Sequence, residues 1–208
     1  MYIPPPFNET DLSRIVSLVQ ENPFGVLITA SDGASTVSHL PLLLEESANG
    51  ELTLWGHMAR ANPQWKHLSP SQNVLVVFRG PHAYISPAWY ASPGVPTWNY
   101  AVVHLHGTPR VINDEVELAD LVHRLTHRFE SPRPTPWKPA MTVEYRHNLP
   151  AMIVGFEIKI RHMEAKFKLG QNRSMEDQRR VAAELAGSTD ATEVALAKLM
   201  QLPEPTGE

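Results

Sequence analysis

Four short stretches of the chain concentrate side chains that can bind a polar ligand. Each combines His, Arg, Lys, Asn, Gln, Tyr or Trp with Gly or Pro, and they lie at residues 56–65, 80–87, 96–100 and 166–173. Burying so many polar groups costs free energy unless each one finds a hydrogen-bond partner. A bound polar ligand is one way to supply those partners, so the four stretches are candidate binding segments.

The segment from Arg60 to Trp65 has the clearest physical rationale for binding an anion. Asn62 before Pro63 predicts a helix start, because Asn is a preferred N-cap and Pro is favoured at the first helical position. Free N–H groups of a first helical turn attract anions, and the guanidinium of Arg60 adds charge-assisted hydrogen bonds. His57 ends the preceding strand and is expected near the same turn. The residues alone leave a second interpretation open, an ordinary strand-to-helix turn with an exposed arginine.

Two pairs of histidines raise the question of a metal site. His104 and His106 share one face of a predicted strand, and His123 and His127 lie four residues apart on a predicted helix. The helical pair lacks the glutamate of a zinc-protease motif, and neither pair has a third ligand nearby in the sequence. We therefore predict structural or solvent-exposed histidines and no metal site.

Several kinds of chemistry are excluded by what the sequence lacks. Zero cysteines exclude disulfides, thiolate metal sites, iron–sulfur clusters and cysteine nucleophiles. The sequence contains no Gly-x-Gly, so the dinucleotide-binding fingerprint and its FAD version are missing, and it has neither a phosphate loop nor a Gly-x-Ser-x-Gly elbow. Catalytic residues stay unassigned.

The distribution of charge argues against direct DNA binding. The formal net charge is −4, with 15 basic and 15 acidic side chains in residues 1–173 and 3 basic and 7 acidic ones in residues 174–208. A sequence-independent nucleic-acid binder normally carries a basic excess. The most basic cluster in the sequence consists of Lys159, Arg161, Lys166, Lys168 and Arg173. It is either a phosphate-binding face or the solvated edge of a strand.

The sequence gives no sign of export or membrane insertion. Residues 1–6 lack the basic region and the apolar run of a signal peptide, and no apolar stretch approaches membrane-spanning length. We therefore expect a cytoplasmic protein that does not contact a membrane.

Apolar periodicity and turn signals predict a helix followed by three antiparallel strands. Asn8 is expected to cap the helix, whose apolar residues recur at helical spacing, and Asn22-Pro23 to end it. Residues 24–30, 35–44 and 51–55 are predicted strands, joined by turns at Asp32-Gly33 and Asn49-Gly50.

The remaining elements are predicted from the same signals. A short helix is expected at residues 62–68, and a longer one after a cap at Asn113, with its buried face formed by Leu118, Leu121, Val122, Leu125 and Phe129. Residues 131–139 are a predicted loop. Strands are predicted at residues 73–78, 83–85, 100–111 and 153–160, the last extending to 167, before two C-terminal helices of which Ser174 caps the first.

Together these elements predict a mainly β protein of the α+β class. Six or seven strands with hairpin turns, interrupted by helices, indicate a small closed antiparallel β-barrel with peripheral helices, and no βαβ alternation is present. A chain of 208 residues fits one sizeable domain. We expect that domain to span residues 1–173, with residues 174–208 as its helical extension.

The candidate segments resemble, in order along the chain, the signatures of the PaiB family of FMN-binding proteins. They read Gly56-His57-Met58-Ala59-Arg60-Ala61-Asn62-Pro63-Gln64-Trp65, Pro81-His82-Ala83-Tyr84-Ile85-Ser86, Pro96-Thr97-Trp98-Asn99-Tyr100 and Lys166-Phe167-Lys168-Leu169-Gly170-Gln171-Asn172-Arg173. The resemblance implies a split β-barrel of the FMN-binding type. It implies FMN as the cofactor, which agrees with the absence of the FAD fingerprint.

The resemblance also implies which residues contact the cofactor. In the family the strand–turn–helix holds the flavin phosphate, which here implicates His57, Ala59, Arg60 and Asn62, and the second strand lines the flavin ring. An aromatic such as Trp98 could stack on the ring and Asn99 could bond a ring carbonyl. The further implied cofactor contacts are Ser38, His39, Leu40, His82, Lys168, Gln171 and Asn172.

Two classes of function follow from the resemblance. The first is a PaiB-type negative transcriptional regulator that acts through redox state or a protein partner. The second is a flavin-dependent oxidoreductase acting on a nicotinamide or another small molecule, with a haem-binding variant that would use His39, His57 or His82. A homodimer with flavin at its interface is expected, because one small barrel cannot easily bury the tryptophans of its loops, Trp55, Trp65, Trp89 and Trp98.

Overall fold

Seven strands and five α-helices make up the described part of the chain. The computed structural model describes residues 1–31, 33–138 and 142–200. The strands are β1 (Phe24–Ser31), β2 (Ala34–Pro41), β3 (Leu43–Glu46), β4 (Leu52–Ala59), β5 (Val74–Ile85), β6 (Thr97–Ile112) and β7 (Ile153–Lys168). The helices are α1 (Leu12–Glu21), α2 (Glu115–Glu130), α3 (Val143–Met152), α4 (Met175–Ala186) and α5 (Ala191–Met200), with 3-10 turns at Pro5–Phe7, Pro63–His67 and Pro87–Trp89.

The strands form one antiparallel sheet in the order β2-β1-β5-β6-β7-β4-β3. A two-residue turn joins β1 to β2, where Ser31 pairs with Ala34 and Gly33 has a φ of 78°, as the predicted hairpin requires. Its other turn residue, Asp32, lies outside the described residues. Among the described strands β2 and β3 end the order without pairing to each other, so the expectation of a closed barrel is wrong, whereas the predicted mainly β architecture of six or seven antiparallel strands is confirmed.

The chain divides into two compact units, which we describe separately. The first unit contains residues 1–18, 79–103 and 164–200, and the second contains the described parts of residues 19–78 and 104–163. The division of the chain at residue 173 stays a prediction.

The second unit is built around the buried face of α2. Leu118, Leu121 and Leu125 pack with Ile112 and Leu149, and this face is the one that the sequence predicts. Asp114 caps the helix by accepting hydrogen bonds from the N–H groups of residues 116 and 117, so the predicted cap at the preceding residue, Asn113, is wrong. Within this unit β4 pairs with β7 along residues 53–59 and 153–159.

Helices α1, α4 and α5 supply buried apolar residues to the first unit. Ile15 of α1, Leu185 of α4 and Leu196 of α5 are all buried. Asp11 caps α1 by accepting from the N–H of Ser13 at 2.9 Å. The predicted cap, Asn8, forms an isolated bridge with Lys166 instead.

Two further expectations about elements are wrong. The strands predicted at 73–78 and 83–85 are one continuous strand, β5, which begins at Val74. Helix α3 lies where no helix is predicted; Thr142 caps it, and its Pro150 stands in the last turn, so the hydrogen bond lost with the missing N–H is close to the end of the helix. The predicted loop at 131–139 is confirmed for residues 131–138, and residue 139 lies outside the described part.

Candidate functional site

Asn62 connects strand β2 to the turn that follows β4. Its side-chain oxygen accepts from the N–H of Gln64 at 3.0 Å, which caps the 3-10 turn Pro63–His67. Its side-chain nitrogen donates to Oγ of Ser38 at 2.9 Å. The structure thus brings two of the predicted cofactor residues together, and the amide of Asn62 holds both the turn and β2.

Gln64 is a buried residue that anchors the same turn and that the sequence analysis missed. Its side chain is fully buried, and its Nε2 donates to the carbonyls of Leu27 at 3.2 Å and Thr36 at 3.0 Å. The sequence shows Gln64 only as a polar residue within the segment 56–65. Its position in the sequence does not reveal that two strands flank it. Its Oε1 is buried and has no partner among the described residues.

Arg60 is held more firmly than an exposed arginine in a turn would be. Its Nε donates to the carbonyl of Pro150 at 2.9 Å and its Nη2 to that of Ile153 at 3.1 Å, while the guanidinium lies 5.3 Å from the ring centroid of Trp65. The indole N–H of Trp65 donates back to the carbonyl of Arg60 at 3.1 Å. The expected helix N-terminus is a 3-10 turn of five residues, so a helix dipole contributes little to anion binding here.

His57 carries a buried nitrogen that no other described residue contacts through a hydrogen bond. It lies on β4 opposite Gly155, and its Nδ1 is buried without a hydrogen bond among the described residues. Burial lowers the pKa of His57, because a low-polarity surrounding disfavours the charged imidazolium. A neutral imidazole with an unsatisfied nitrogen fits a site that a polar ligand completes. Ala59, two residues on, is exposed.

The three predicted residues of β2 do not share one face of the strand. Ser38 and Leu40 are half-buried, whereas His39 lies between them in sequence and is exposed, with its ring stacked on Phe24 at a centroid distance of 6.2 Å. Because side chains alternate along a strand, His39 points away from the face that Asn62 contacts. The structure therefore separates it from Ser38 and Leu40.

In the first unit, Trp98 forms the centre of an exposed aromatic group. Its side chain is 53% exposed, stacked on His82 at 6.3 Å between ring centroids and edge-on to Tyr84 at 6.2 Å. The next residue, Asn99, is buried, and its amide lies against Gly170. The predicted contacts His82 and Trp98 are thus adjacent, and Asn99 faces the interior.

Lys168 lies beside the backbone of Trp98. Its Nζ donates to Oγ1 of Thr97 at 2.5 Å and to the carbonyl of Trp98 at 2.7 Å. Burial lowers the pKa of Lys168, and the positive charge of Lys166 lowers it further. Both hydrogen-bond acceptors are neutral, so the ammonium charge is not compensated by them.

Gln171 uses its side chain to close the turn after β7. Its Oε1 accepts from the N–H of Leu169 at 2.7 Å and its Nε2 donates to the carbonyl of Phe167 at 2.6 Å. Gly170 permits this turn by adopting a φ of 86°. Asn172 is exposed. A structural role for Gln171 is therefore observed, and its predicted role as a cofactor contact stays a prediction.

The start of α4 holds the loop that leads into β6. Asp177 is buried and accepts from the N–H of Ala91 at 2.8 Å and from the N–H and Oγ of Ser92 at 3.3 and 2.6 Å. The hydrogen bond from the Ser92 hydroxyl lowers the pKa of Asp177, and the backbone donors lower it further. Arg173 lies 4.3 Å from the ring centroid of Tyr90. Ser174 caps α4 as predicted.

Comparison with known proteins places the chain in a family. Residues 1–162 match the family described as "Putative FMN-binding domain". The chain is 36% identical over 203 residues to the protease synthase and sporulation protein PAI 2 of Bacillus subtilis, covering 97% of each chain. The chain therefore belongs to this family of FMN-binding domains, and the resemblance to the PaiB family and its cofactor, FMN, is confirmed.

Two of the solved structures with a similar fold are flavoproteins by name. The flavocytochrome Anf3 from Azotobacter vinelandii matches with a TM-score of 0.61 at 15% identity, over 79% of this chain and 70% of that one. The FAD and heme binding protein from Mycobacterium smegmatis matches with a TM-score of 0.60 at 18% identity, over 87% and 80%. At such low identity the likeness shows the fold, and it confirms the predicted split barrel of the FMN-binding type.

None of the helices in the described residues is long and apolar enough to cross a membrane.

Proposed function

We propose that the turn at residues 57–62 of the second unit holds the phosphate end of FMN. The observation that carries this location is the buried and unpaired Nδ1 of His57, which lies in the segment that matches the family. A buried nitrogen without a partner costs about 1–3 kcal/mol, and a bound ligand removes that cost.

The charges at this turn suit a phosphate. Arg60 and Lys66 approach the ring of Trp65, at 5.3 and 6.0 Å from its centroid, and neither forms an ion pair with a carboxylate in the part of the chain that the structure describes. Arg60 has committed Nε and Nη2 to carbonyls, which leaves its Nη1 for a ligand oxygen. Charge-assisted hydrogen bonds of this kind are about twice as strong as neutral ones.

The remaining residues of the turn orient the cofactor. Asn62 and Gln64 tie the turn to β1 and β2, so the donors are fixed before a ligand arrives and less entropy is lost on binding. The neutral imidazole of His57 can either accept or donate a hydrogen bond. FMN, when bound, supplies hydride and single-electron transfer, and the protein supplies binding and orientation.

Two uses of the flavin remain as proposals. A PaiB-type regulator would sense redox state and act on transcription indirectly, because the even balance of charge in residues 1–173 does not favour contact with DNA. A flavin-dependent oxidoreductase is supported by a different observation, the exposed ring of Trp98 together with the ammonium of Lys168, which bonds the backbone carbonyl of that residue. These groups offer a second molecule a place to bind. A cytoplasmic location and a homodimer belong to both proposals.

The visible absorption spectrum of freshly purified protein tests the proposal. We expect a yellow protein with flavin bands that releases FMN on denaturation. Bleaching by a reduced nicotinamide supports the oxidoreductase, and resistance to reduction together with a mobility shift of promoter DNA supports the regulator. A colourless protein that takes up no FMN contradicts the proposal, and a Soret band after incubation with haem would favour the haem-binding variant through His39, His57 or His82.

A further inference from the structure

A face of the first unit combines exposed aromatic rings with two ammonium groups. It consists of alternate residues from three neighbouring strands, and we call it the aromatic face: His82 and Tyr84 of β5, Trp98 and Tyr100 of β6, and Lys166 and Lys168 of β7. The residues between them, such as Ala83, Asn99 and Phe167, are buried. The alternation of strand side chains therefore puts all six on one side of the sheet.

The aromatic part of this face is open to solvent and held in position. Trp98 is 53% and Tyr84 is 43% exposed, and contacts with His82 and Tyr84 restrain the indole on two sides. A large ring that is kept rigid and exposed loses little entropy when a planar molecule stacks on it. Stacking of a planar base on an aromatic side chain is worth about 1–3 kcal/mol.

The two lysines supply positive charge that no carboxylate of the described residues neutralises. Lys166 donates to the carbonyl of Tyr2 at 3.2 Å and lies over the rings of Tyr2 and Tyr100, at 5.7 and 5.4 Å from their centroids. Lys168 bonds Thr97 and the carbonyl of Trp98. Neither lysine forms an ion pair within the described ranges, and the charge of Lys166 disfavours that of Lys168. An anion at this place would relieve the repulsion.

The acidic groups on this side of the unit have other partners. Glu164 of β7 pairs with the terminal ammonium of Met1. Asp190, ahead of α5, accepts from the N–H of Thr192 at 2.7 Å, and its carboxylate interacts electrostatically with His82. The charge at Lys166 and Lys168 is thus left for a ligand.

We propose that the aromatic face binds a second ligand, a planar aromatic carboxylate or phosphate. The ring of the ligand stacks on Trp98, and its anionic group pairs with Lys168 and Lys166. The proposal rests on the proposed function in one respect, since it takes FMN to be held by other residues. It accordingly assigns His82, Trp98 and Lys168, which the sequence predicts as cofactor contacts, to the second ligand.

Calorimetric titration of the FMN-loaded protein tests this site with four probes. The probes are 2-naphthoate, 1-naphthyl phosphate, the uncharged 2-naphthalenemethanol and the non-aromatic anion cyclohexanecarboxylate. We expect the two aromatic anions to bind at least about 10-fold more tightly than the other two probes, since each of those lacks one of the two interactions. The tighter of the two aromatic anions identifies the anionic group. Equal binding of the uncharged probe, or no binding of either aromatic anion, overturns the proposal.

Variants separate this site from the cofactor site. Lys168→Met and Lys166→Met keep the apolar stem without the charge, and Trp98→Leu removes the stacking ring. Each variant should bind the aromatic anions roughly 10-fold or more less tightly, while FMN stays bound. The matched controls are Lys198→Met, an exposed lysine of α5, and Trp137→Leu, a tryptophan 63% exposed in the second unit. Neither control should change the affinity for the probes.

The outcomes distinguish this proposal from the proposed function. Release of FMN by Lys168→Met and Trp98→Leu would mean that the aromatic face contacts the cofactor, and would overturn the second ligand. Conversion of a dimer to a monomer by Trp98→Leu, with no probe bound by the unchanged protein, would make the face a subunit contact and overturn it as well. If the protein takes up no FMN, the proposed function fails. The same titrations on the flavin-free protein then still show whether the aromatic face binds the aromatic anions.

Discussion

Arg60 has a structural role in addition to its proposed contact with phosphate. Its Nε and Nη2 fasten the turn after β4 to the carbonyls of Pro150 and Ile153, at the junction of α3 with β7. Its guanidinium also covers Trp65. A mutation here removes these contacts together with any contact to phosphate, so ligand affinity and stability have to be measured separately.

Replacing Arg60 by Ala should weaken FMN binding by about 1.5–3 kcal/mol, the usual value for a hydrogen bond to a charged group. Riboflavin lacks the phosphate and should lose little affinity. Titration of both flavins into the flavin-free protein measures the difference.

Arg124→Ala is the matched control for that variant. Arg124 also covers a tryptophan, Trp55, at 4.4 Å from its ring centroid, and pairs with Glu45 and Asp120. The Arg124→Ala substitution should lower the midpoint temperature of thermal unfolding and leave the affinity for FMN unchanged. Equal losses for FMN and riboflavin in Arg60→Ala would show that Arg60 acts through folding alone.

At the residue scale the sequence predicts which side chains belong to the candidate site. It does not predict which hydrogen bonds those side chains form. The cap at Asn62 follows from the Asn-Pro pair, whereas its grouping with Ser38 at one site follows from the resemblance to the PaiB family. The anchoring of Gln64 and the backbone partners of Arg60 depend on residues 28 to 93 positions away in the chain. No local pattern encodes such contacts, because they exist only after the strands have paired.

At the scale of elements, the errors have local physical causes. The Gly-Pro-His sequence at residues 80–82 suggests a break, yet β5 continues through it. The pairing of β5 with β1 covers residues 75–77, so Pro81 lies beyond that pairing, where its missing N–H need not break a hydrogen bond to β1. The cap of α1 moves from Asn8 to Asp11 because Asn8 pairs with Lys166 of β7.

The packing of α2 on β7 yields a test at this scale. A Cβ at Gly155 would come within 2.8 Å of Leu118 Cδ1 and 3.1 Å of Leu121 Cδ2. We expect Gly155→Ala to lower the free energy of unfolding by about 1–3 kcal/mol, because the methyl group overfills this interface. Urea unfolding measures the change.

Gly187→Ala is its control. Gly187 ends α4 in a right-handed helical conformation, with the nearest atoms 3.6 Å or more from an added Cβ. Replacing it by Ala should raise the free energy of unfolding by no more than about 1 kcal/mol. If both variants unfold at the same urea concentration, α2 is not packed against β7 as described.

At the scale of the molecule, two of the loop tryptophans are covered without a second subunit. Trp55 and Trp65 are covered by Arg124 and Arg60 within the chain, so these two rings do not require a second subunit. Exposed apolar side chains remain at Val116, Val143 and Trp137, and isologous dimers are the commonest oligomers. We still expect a dimer in sedimentation experiments at micromolar concentration, with and without FMN. A monomer under both conditions would refute this expectation.

The first unit also has a consequence for how the protein is made. Its described residues come from three distant segments, 1–18, 79–103 and 164–200, with residues 104–163 between the last two. A ribosome adds about 5–20 residues per second, so those 60 residues take about 3–12 s to synthesise. During that interval the strand segments with Tyr84 and Trp98 have left the ribosome without the part of β7 that completes their unit. We expect the nascent chain to be prone to aggregation during this interval, which closes when residues 164–168 emerge.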